Sequence, residues 1–165
     1  MRSTGEVMGW DDDFGSAFLK AQIASGVTLP TEGAVFISLK DGDKPSILES
    51  ARELVSMGFT IVATGGTEAF LKDNGLDVRH VNKVIEGQPH IVDLMINGQV
   101  QLVFNTTEGA QSLKDSSSIR RTAVNRAIPY FTTLAASRAS VQAIRALRDH
   151  PLTVRPLQDV AISPT

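Results

Sequence analysis

From residue 34 onward, short apolar runs alternate with segments of helical periodicity, and this alternation most constrains the fold. Ala34 to Leu39 is a nearly unbroken apolar run, and Val100 to Asn105 is another. Runs of this length without polar alternation are typical of strands buried on both faces. Apolar residues recur at helical spacing from Ile47 to Val55. Strands that alternate with helices across short connections predict an α/β domain with a parallel sheet and helices on both faces.

The same patterns along the chain predict a three-layer, doubly wound domain with a mainly parallel sheet of about five strands. The run Asp115 to Ser118 is interpreted as the N-cap of a helix, because aspartate and serine side chains accept hydrogen bonds from the first helical amides. The predicted strands are 34–39, 59–63, 77–81, 100–105 and 129–132, and the predicted helices are 47–55, 69–73, 91–96, 116–126 and 135–148.

Residues 1–31 show a different pattern from the rest of the chain. Polar residues and glycines without a period are followed by an amphipathic stretch from Phe14 to Ile23, which ends before Gly26. A helix of this length needs a surface to cover, and the neighbouring sequence offers none. We therefore expect residues 1–31 to be a linker from another body and the least anchored part of the chain. Residues 32–165 are expected to form one domain.

The composition excludes several classes of function. The chain has no cysteine, so disulfides and thiolate metal sites are excluded, and its 3 histidines are too far apart in sequence to suggest a metal. A net charge of -2 argues against a broad nucleic-acid surface. No apolar run approaches the roughly 20 residues of a membrane span, and the N-terminus lacks a signal-peptide core. We expect a soluble, cytoplasmic protein that binds neither nucleic acid nor membrane and holds no metal.

Hydroxyl side chains follow several of the predicted strands. Ser38, Thr64 to Thr67 and Asn105 to Thr107 stand at carboxyl ends, which meet at one edge of a parallel sheet. The turn Thr64-Gly65-Gly66-Thr67 precedes a helix, so its glycines and free amides suit an anion, while Lys44 and Lys83 add positive charge. The combination predicts a phosphate-binding site; taken alone, the turn predicts only a helix cap.

Candidates for catalysis are weaker. Glu86, Asp93 and Glu108 are interpreted as solvated carboxylates, since charged side chains usually lie at the surface. His90 is interpreted as a loop or helix-start residue. The pair Arg120-Arg121 is interpreted as a solvated helix face rather than a basic patch.

Several longer motifs resemble the methylglyoxal-synthase-like domain of bacterial carbamoyl-phosphate synthetase large subunits. The resemblance is carried by Lys83 to Asp93, Asn105-Thr106-Thr107, Ile119-Arg120-Arg121 and Tyr130 to Thr133. The segment Met1 to Gly9 is similar to the stretch that leaves the second ATP-grasp domain in that family. The resemblance extends to about residue 160 and implies a C-terminal allosteric domain, with residues 1–31 as the linker.

The resemblance also implies the function. Domains of this family bind nucleoside monophosphates, with UMP as inhibitor and IMP as activator in many bacterial enzymes that serve pyrimidine and arginine biosynthesis. The implied partners are the rest of the large subunit and the glutaminase small subunit, and a homo-oligomer is a further expected assembly. The domain itself needs no cofactor, whereas the parent ligase uses ATP with Mg²⁺ or Mn²⁺. The positions that match the nucleotide contacts are Ser38, Lys44, Thr64, Thr67, Lys83, Asn105, Thr106 and Thr107.

Two departures from the family pattern bear on ligand choice. Tyr130 and Thr132 match an ornithine-linked stretch, but Phe131 stands where the enteric pattern has aspartate. A neutral ring cannot pair with an ammonium group, so this departure argues against the ornithine-linked role of Tyr130 and Thr132. Gly65 stands where the enteric pattern has histidine, and the turn is retained.

Two alternatives to nucleotide regulation follow from the same resemblance. Methylglyoxal synthase uses an aspartate as general base on a phosphorylated triose, and the corresponding position here falls near Gln88, whose amide is no base at neutral pH. The sequence therefore predicts no catalytic residue in this domain. The other alternative is a module that serves only oligomer formation.

Overall fold

The computed structural model describes residues 2–3, 5–106, 110–156 and 158, and its centre is a parallel sheet of five strands. The strands are β1 (Arg2–Ser3), β2 (Glu6–Val7), β3 (Ala34–Ser38), β4 (Thr60–Ala63), β5 (Val78–His80), β6 (Leu102–Asn105) and β7 (Tyr130–Phe131). The helices are α1 (Phe14–Ala24), α2 (Lys44–Ser56), α3 (Gly65–Asp73), α4 (Ile91–Ile96), α5 (Ala110–Asn125) and α6 (Leu134–Asp149). Short 3₁₀ turns cover Asp41–Asp43 and Val84–Glu86.

The order of the sheet is β5-β4-β3-β6-β7, and neighbouring strands are parallel throughout. β1 and β2 form a separate antiparallel pair. The predicted α/β fold with a parallel sheet of about five strands is therefore confirmed. None of the helices in the described residues is long and apolar enough to cross a membrane.

Two apolar clusters lie on opposite faces of the sheet. Val35 and Ile37 of β3 point into the cluster that contains α2, α3 and α6, whereas Phe36 between them points into the cluster formed by α4 and α5. Because successive strand residues face opposite sides, burial on both faces requires the continuous apolar runs seen in the sequence. The molecule has three layers: helices, sheet and helices.

Three helices begin at least three residues earlier than the sequence pattern predicts, and one of them is α2, which begins at Lys44 rather than at residue 47. α3 begins at Gly65, so the predicted glycine turn is the first turn of the helix and Thr64 is its N-cap residue. α5 begins at Ala110, and the prediction that Asp115 to Ser118 is an N-cap is wrong, because these residues lie inside the helix. Ser116 is buried beside Asn105, so tertiary contacts outweigh the tendency of serine to end helices.

The expectation that Phe14 to Ile23 lacks a packing surface is also wrong. α1 packs against α6, and Leu19 is buried in the core cluster of the α2, α3 and α6 face. The approach is close because Gly15 has no side chain: a Cβ there would lie 2.8 Å from the backbone oxygen of Gln142. Arg155, beyond α6, also reaches back to pair with Asp12 at 2.6 Å. The boundary at residue 31 remains a prediction.

Candidate anion-binding site

A cavity of about 560 Å³ opens at the carboxyl edge of the sheet, where β3 and β6 lie side by side. The chain leaves β3 toward β4 and β5 on one side and returns to β6 on the other. This reversal separates the loops after the two strands, and open α/β sheets bind ligands in such a crevice. The lining residues are Phe36, Ser38, Leu39, Lys40, Asp41, Lys44, Thr64, Gly66, Thr67, Lys83, Val84, Ile85, Ile91, Asn105, Thr106, Ser116 and Ile119.

The structure brings most of the sequence-predicted site residues together in this cavity. Thr107 lies outside the described residues. Tyr130 does not line the cavity but contacts it through Asn105, and Thr132 is exposed elsewhere. The predicted residues that line it are Ser38, Lys44, Thr64, Thr67, Lys83, Asn105 and Thr106.

Two of the predicted threonines fix the backbone of the loop after β3. The buried Thr67 hydroxyl accepts from the Leu39 amide at 3.0 Å and lies 3.4 Å from the Leu39 carbonyl oxygen, to which it donates. The Thr106 hydroxyl accepts from the Lys40 amide at 3.2 Å. These bonds tie the first turn of α3 and the residue after β6 to the loop that follows β3. The hydroxyls of Thr67 and Thr106 therefore shape the cavity wall.

The Lys44 ammonium group lies close to the amino end of α3, and both line the cavity. A Cβ at Gly66 would lie 3.0 Å from Lys44 Nζ, so the glycine leaves room for this approach. The amides of Thr67 and Glu68 donate to the Thr64 carbonyl oxygen, so the amides of Gly65 and Gly66 are the ones at this helix end that, with the helix dipole, can attract an anion. Lys44 also pairs with Asp41 at 2.5 Å, and this hydrogen bond holds the pKa of the exposed Asp41 carboxyl below its usual range.

Lys83 enters the cavity wall from the segment between β5 and α4. Its backbone amide donates to the Glu86 carboxylate at 2.7 Å, which closes the 3₁₀ turn Val84–Glu86. Val84 and Ile85 of that turn line the cavity beside Lys83, and 63% of Ile85 is exposed. The segment therefore offers one positive charge and an apolar surface.

Asn105 connects the floor of the cavity to the edge of the sheet. Its buried side-chain amide donates to Ser116 Oγ at 3.0 Å and to Tyr130 Oη at 2.9 Å. Both amide hydrogens are thus used within the protein, and the amide oxygen remains as the group able to accept from a ligand. Phe131 is buried against Phe104 in the core, so it contributes packing at the stretch where the enteric pattern has a charge.

The apolar part of the cavity is what sequence reasoning missed. Phe36, Ile91 and Ile119 come from β3, α4 and α5, and each is buried in the α4 and α5 face of the core. Their helical and strand periodicity marks them as core residues, so no sequence signal separates them from other core positions. The pair Val84-Ile85, between the charged Lys83 and Glu86, is the one local signal of an apolar rim.

The carboxylates considered for catalysis are engaged elsewhere. Glu86 accepts from the Lys83 amide, and Asp93 accepts from the amide of His90, which is the N-cap residue of α4 as predicted. Gln88 is exposed and does not line the cavity, and Glu108 lies outside the described residues. Among the described lining residues Asp41 is the sole carboxylate.

A polar network outside the cavity joins α3 to the segment that carries Lys83. Glu68 of α3 accepts from Lys72 Nζ at 2.7 Å and contacts His80 Nδ1. Its hydrogen bonds with Lys72 and His80 lower the pKa of Glu68, and the bond to Glu68 raises the pKa of His80 above its usual value. In the described parts of the chain, no three His, Cys, Asp or Glu side chains gather as a metal site would require.

The chain is similar in sequence to one class of curated proteins. It is 52% identical over 159 residues to the carbamoyl phosphate synthase large chain of Brucella suis biovar 1 (strain 1330), covering 96% of this chain and 14% of that protein. For the large chain of Pseudomonas putida (strain KT2440) the identity is 51% over 160 residues, covering 97% and 15%. The chain thus spans 14–15% of the length of these relatives.

Comparison with solved structures gives the fold. Methylglyoxal synthase from Elizabethkingia anophelis NUHP1 superposes with a TM-score of 0.55 at 15% sequence identity, covering 70% of this chain and 80% of that one. The family model described as the MGS-like domain matches residues 46–132, which include α2 from its third residue onward, the amino end of α3, Lys83 and the end of β6. The chain belongs to the MGS-like domain family.

Proposed function

We propose that this chain is the regulatory domain of a carbamoyl-phosphate synthetase large subunit and that its cavity binds nucleoside monophosphates, with UMP as inhibitor and IMP as activator. The approach of Lys44 to the amino end of α3 carries the proposal. A phosphate between them would receive helix amides and an ammonium group at once, and charge-assisted bonds of this kind are the strong ones.

The rest of the cavity supports a nucleotide rather than a bare anion. Lys83 supplies a second positive charge, and Ser38 and Thr64, whose hydroxyls lie 3.2 Å apart, supply groups able to bond a sugar or phosphate oxygen. The apolar side chains of Val84, Ile85 and Ile119 supply a surface on which a planar base can pack. A volume of about 560 Å³ lies within the usual range of small-molecule sites.

The role in a larger enzyme is proposed from the relatives. Allosteric control is a coupling free energy between two sites, so regulation requires the catalytic body of the large subunit. The proposed partners are that body and the glutaminase small subunit, and the proposed location is the cytoplasm. The chain by itself is expected to bind nucleotide without turnover, because Asp41 is the single carboxylate among the described lining residues and is paired with Lys44.

The test is calorimetry with UMP, IMP, uridine and ornithine on the wild-type chain and on Lys44→Ala. Replacing Lys44 should weaken UMP binding by about 1.5–3 kcal/mol, or roughly 10- to 150-fold, the range for a hydrogen bond to a charged group. Uridine, which lacks the phosphate, should bind both proteins equally weakly. Ornithine should not bind measurably, since Phe131 is buried and uncharged.

The matched control is Lys20→Ala, because Lys20 lies on α1, pairs with Asp11 and does not line the cavity. It should leave the affinity for UMP unchanged. Equal UMP affinity of Lys44→Ala and wild type would place the phosphate elsewhere. Production of methylglyoxal from dihydroxyacetone phosphate would overturn the regulatory proposal in favour of an enzyme. If neither UMP nor IMP binds measurably, a role in assembly would be favoured.

A further inference from the structure

Three contacts connect the amino end of α3 to the segment 83–90. Glu68 follows Thr67 directly, and its carboxylate meets His80 Nδ1 at the end of β5. His80 Nε2 lies 3.3 Å from Asn82 Oδ1, and Asn82 Nδ2 lies 3.4 Å from the carbonyl oxygen of Gly87. The network therefore begins on the helix proposed to bind phosphate and ends within the segment that carries Lys83.

The partners of His80 indicate which protonation state the network needs. Asn82 Nδ2 faces a carbonyl oxygen, which fixes its amide with Oδ1 toward the ring of His80. One ring nitrogen thus faces a carboxylate and the other faces an amide oxygen, and both partners are acceptors. A neutral imidazole has a single N–H donor, whereas the imidazolium ion has two. Only the charged form of His80 satisfies both neighbours.

Among the described residues, Val84 packs the segment 83–90 against the core cluster of the α4 and α5 face, and the hydrogen bonds of the segment other than the one from Asn82 close within it or at its far end. Lys83 and Glu86 bond each other through backbone and side chain. At the far end, the Ile91 amide donates to the Asn82 carbonyl oxygen at 3.2 Å. Asn82 is thus the residue at which the segment leaves and rejoins the fold, and His80 holds its side chain.

We propose that the imidazolium form of His80 is a positioning residue that holds Lys83 and the apolar rim over the cavity, so that ligand affinity follows the protonation of His80. The proposal rests on the proposed function, since it concerns affinity at the same cavity. His80 does not line the cavity and would act through Asn82 and the segment 83–90.

The charged groups around His80 fix the direction of the effect. Glu68, which also pairs with Lys72, faces it from α3, Glu86 adds negative charge from the 3₁₀ turn, and Arg79 precedes it on β5. The carboxylates keep the pKa of His80 above its usual value, with Glu68 as the main cause. The anchor is therefore complete at lower pH and is lost as pH rises through this raised pKa.

The experiment measures UMP affinity from about pH 6 to about pH 9 for wild type, His80→Gln and His80→Lys. Comparison of wild type with each variant at the same pH cancels the titration of the phosphate itself. At the acid end, wild type should bind about two- to fivefold more tightly than His80→Gln, the scale of an exposed ion pair. At the alkaline end, wild type should approach His80→Gln, while His80→Lys, charged throughout, should retain the tighter binding.

A purely structural role would give a different profile, in which each substitution weakens binding by one factor at every pH. That result would overturn the proposal. The matched control is His150→Gln, because His150 follows α6 and lies outside this cavity. It should reproduce the wild-type profile.

A ligand-free measurement separates this proposal from the proposed function. NMR should show the backbone amides of residues 83–88 shifting with the same midpoint as the His80 ring, and the shift should be absent in His80→Gln. If these amides follow His80 but neither UMP nor IMP binds, the nucleotide function fails and the positioning role stands. If nucleotide binds but the chemical shifts of these amides do not change as His80 titrates, the positioning role is overturned.

Discussion

Asp41 places a negative charge beside Lys44, where the phosphate of the proposed ligand would lie. Its pKa is lowered by the hydrogen bond with Lys44, so the carboxyl is ionised at neutral pH. Asp41→Asn should free the ammonium group and remove a repulsion, strengthening UMP binding about two- to fivefold. The gain should vanish as the pH falls through the lowered pKa, where wild-type Asp41 becomes neutral.

Calorimetry at neutral and acid pH checks this prediction. Asp43→Asn is the control, since Asp43 lies on the same 3₁₀ turn but does not line the cavity. Weaker binding by Asp41→Asn than by wild type would indicate that Asp41 orients Lys44 rather than competing for it.

Sequence reasoning located the hydroxyl residues of the cavity but not the partners of their hydroxyl groups. Thr67 and Thr106 were expected as ligand contacts, and their side chains bond the backbone of Leu39 and Lys40. Hydrogen-bond partners at this edge depend on how three loops meet, and the meeting of loops is not encoded in the local spacing of residues. Ser116 was not predicted as a lining residue either. It lines the cavity because α5 begins at Ala110, which places Ser116 inside the helix and beside the cavity.

Substitution of Gly66, at the amino end of α3, should change stability and UMP affinity in opposite directions. Its φ is not in the left-handed region, so alanine fits the backbone, and removal of glycine from a helical turn stabilises by about 0.4–1 kcal/mol. The new Cβ would meet Lys44 Nζ at 3.0 Å and enter the space proposed for the phosphate. Gly66→Ala should therefore weaken UMP binding about tenfold while the protein becomes slightly more stable.

Urea unfolding and calorimetry on the same samples test this pair of effects. Gly42→Ala is the control, because a Cβ there meets nothing within 4 Å. A Gly66→Ala protein that binds UMP with wild-type affinity would show that the phosphate does not approach the helix end.

At the level of elements, the strands were predictable because burial on both faces leaves an unbroken apolar run. Val100 to Asn105 illustrates this, as β6 covers Leu102–Asn105. The starts of the helices were less predictable from the sequence. Glycine and serine usually stand at the ends of helices, but Gly65 lies within α3 and Ser116 lies within α5. Contacts between residues distant in sequence accompany these exceptions: Lys44 approaches Gly66, the neighbour of Gly65, and Asn105 bonds Ser116.

At the level of the whole molecule, the segment before β3 contributes to the core of the domain. Leu19 and Leu29 are both buried in the cluster that also holds Val141 and Ile144 of α6. Burial of each leucine stabilises the fold by about 1.5–3 kcal/mol. The free energy of unfolding of a chain that starts at residue 32 should therefore be lower than that of the full chain by at least about 3 kcal/mol.

Urea unfolding of the shortened and full chains at equal concentration measures the difference. Removal of residues 2–8 alone is the control, since it retains α1 and the pair of Lys20 with Asp11 at 2.7 Å. Identical urea midpoints for the full chain and the chain that starts at residue 32 would mean that α1 does not stabilise the domain. The amphipathic stretch was visible in the sequence, but its partner, α6, lies more than a hundred residues away along the chain.

The order of strands also has a consequence for the way this domain is made. β3 is the first strand of the large sheet to leave the ribosome, yet it lies at the centre. One of its edges pairs with β4 early, and the other stays open until β6 has been synthesised. An open strand edge pairs readily with other chains, so the interval between these two events is when the nascent protein most needs a chaperone.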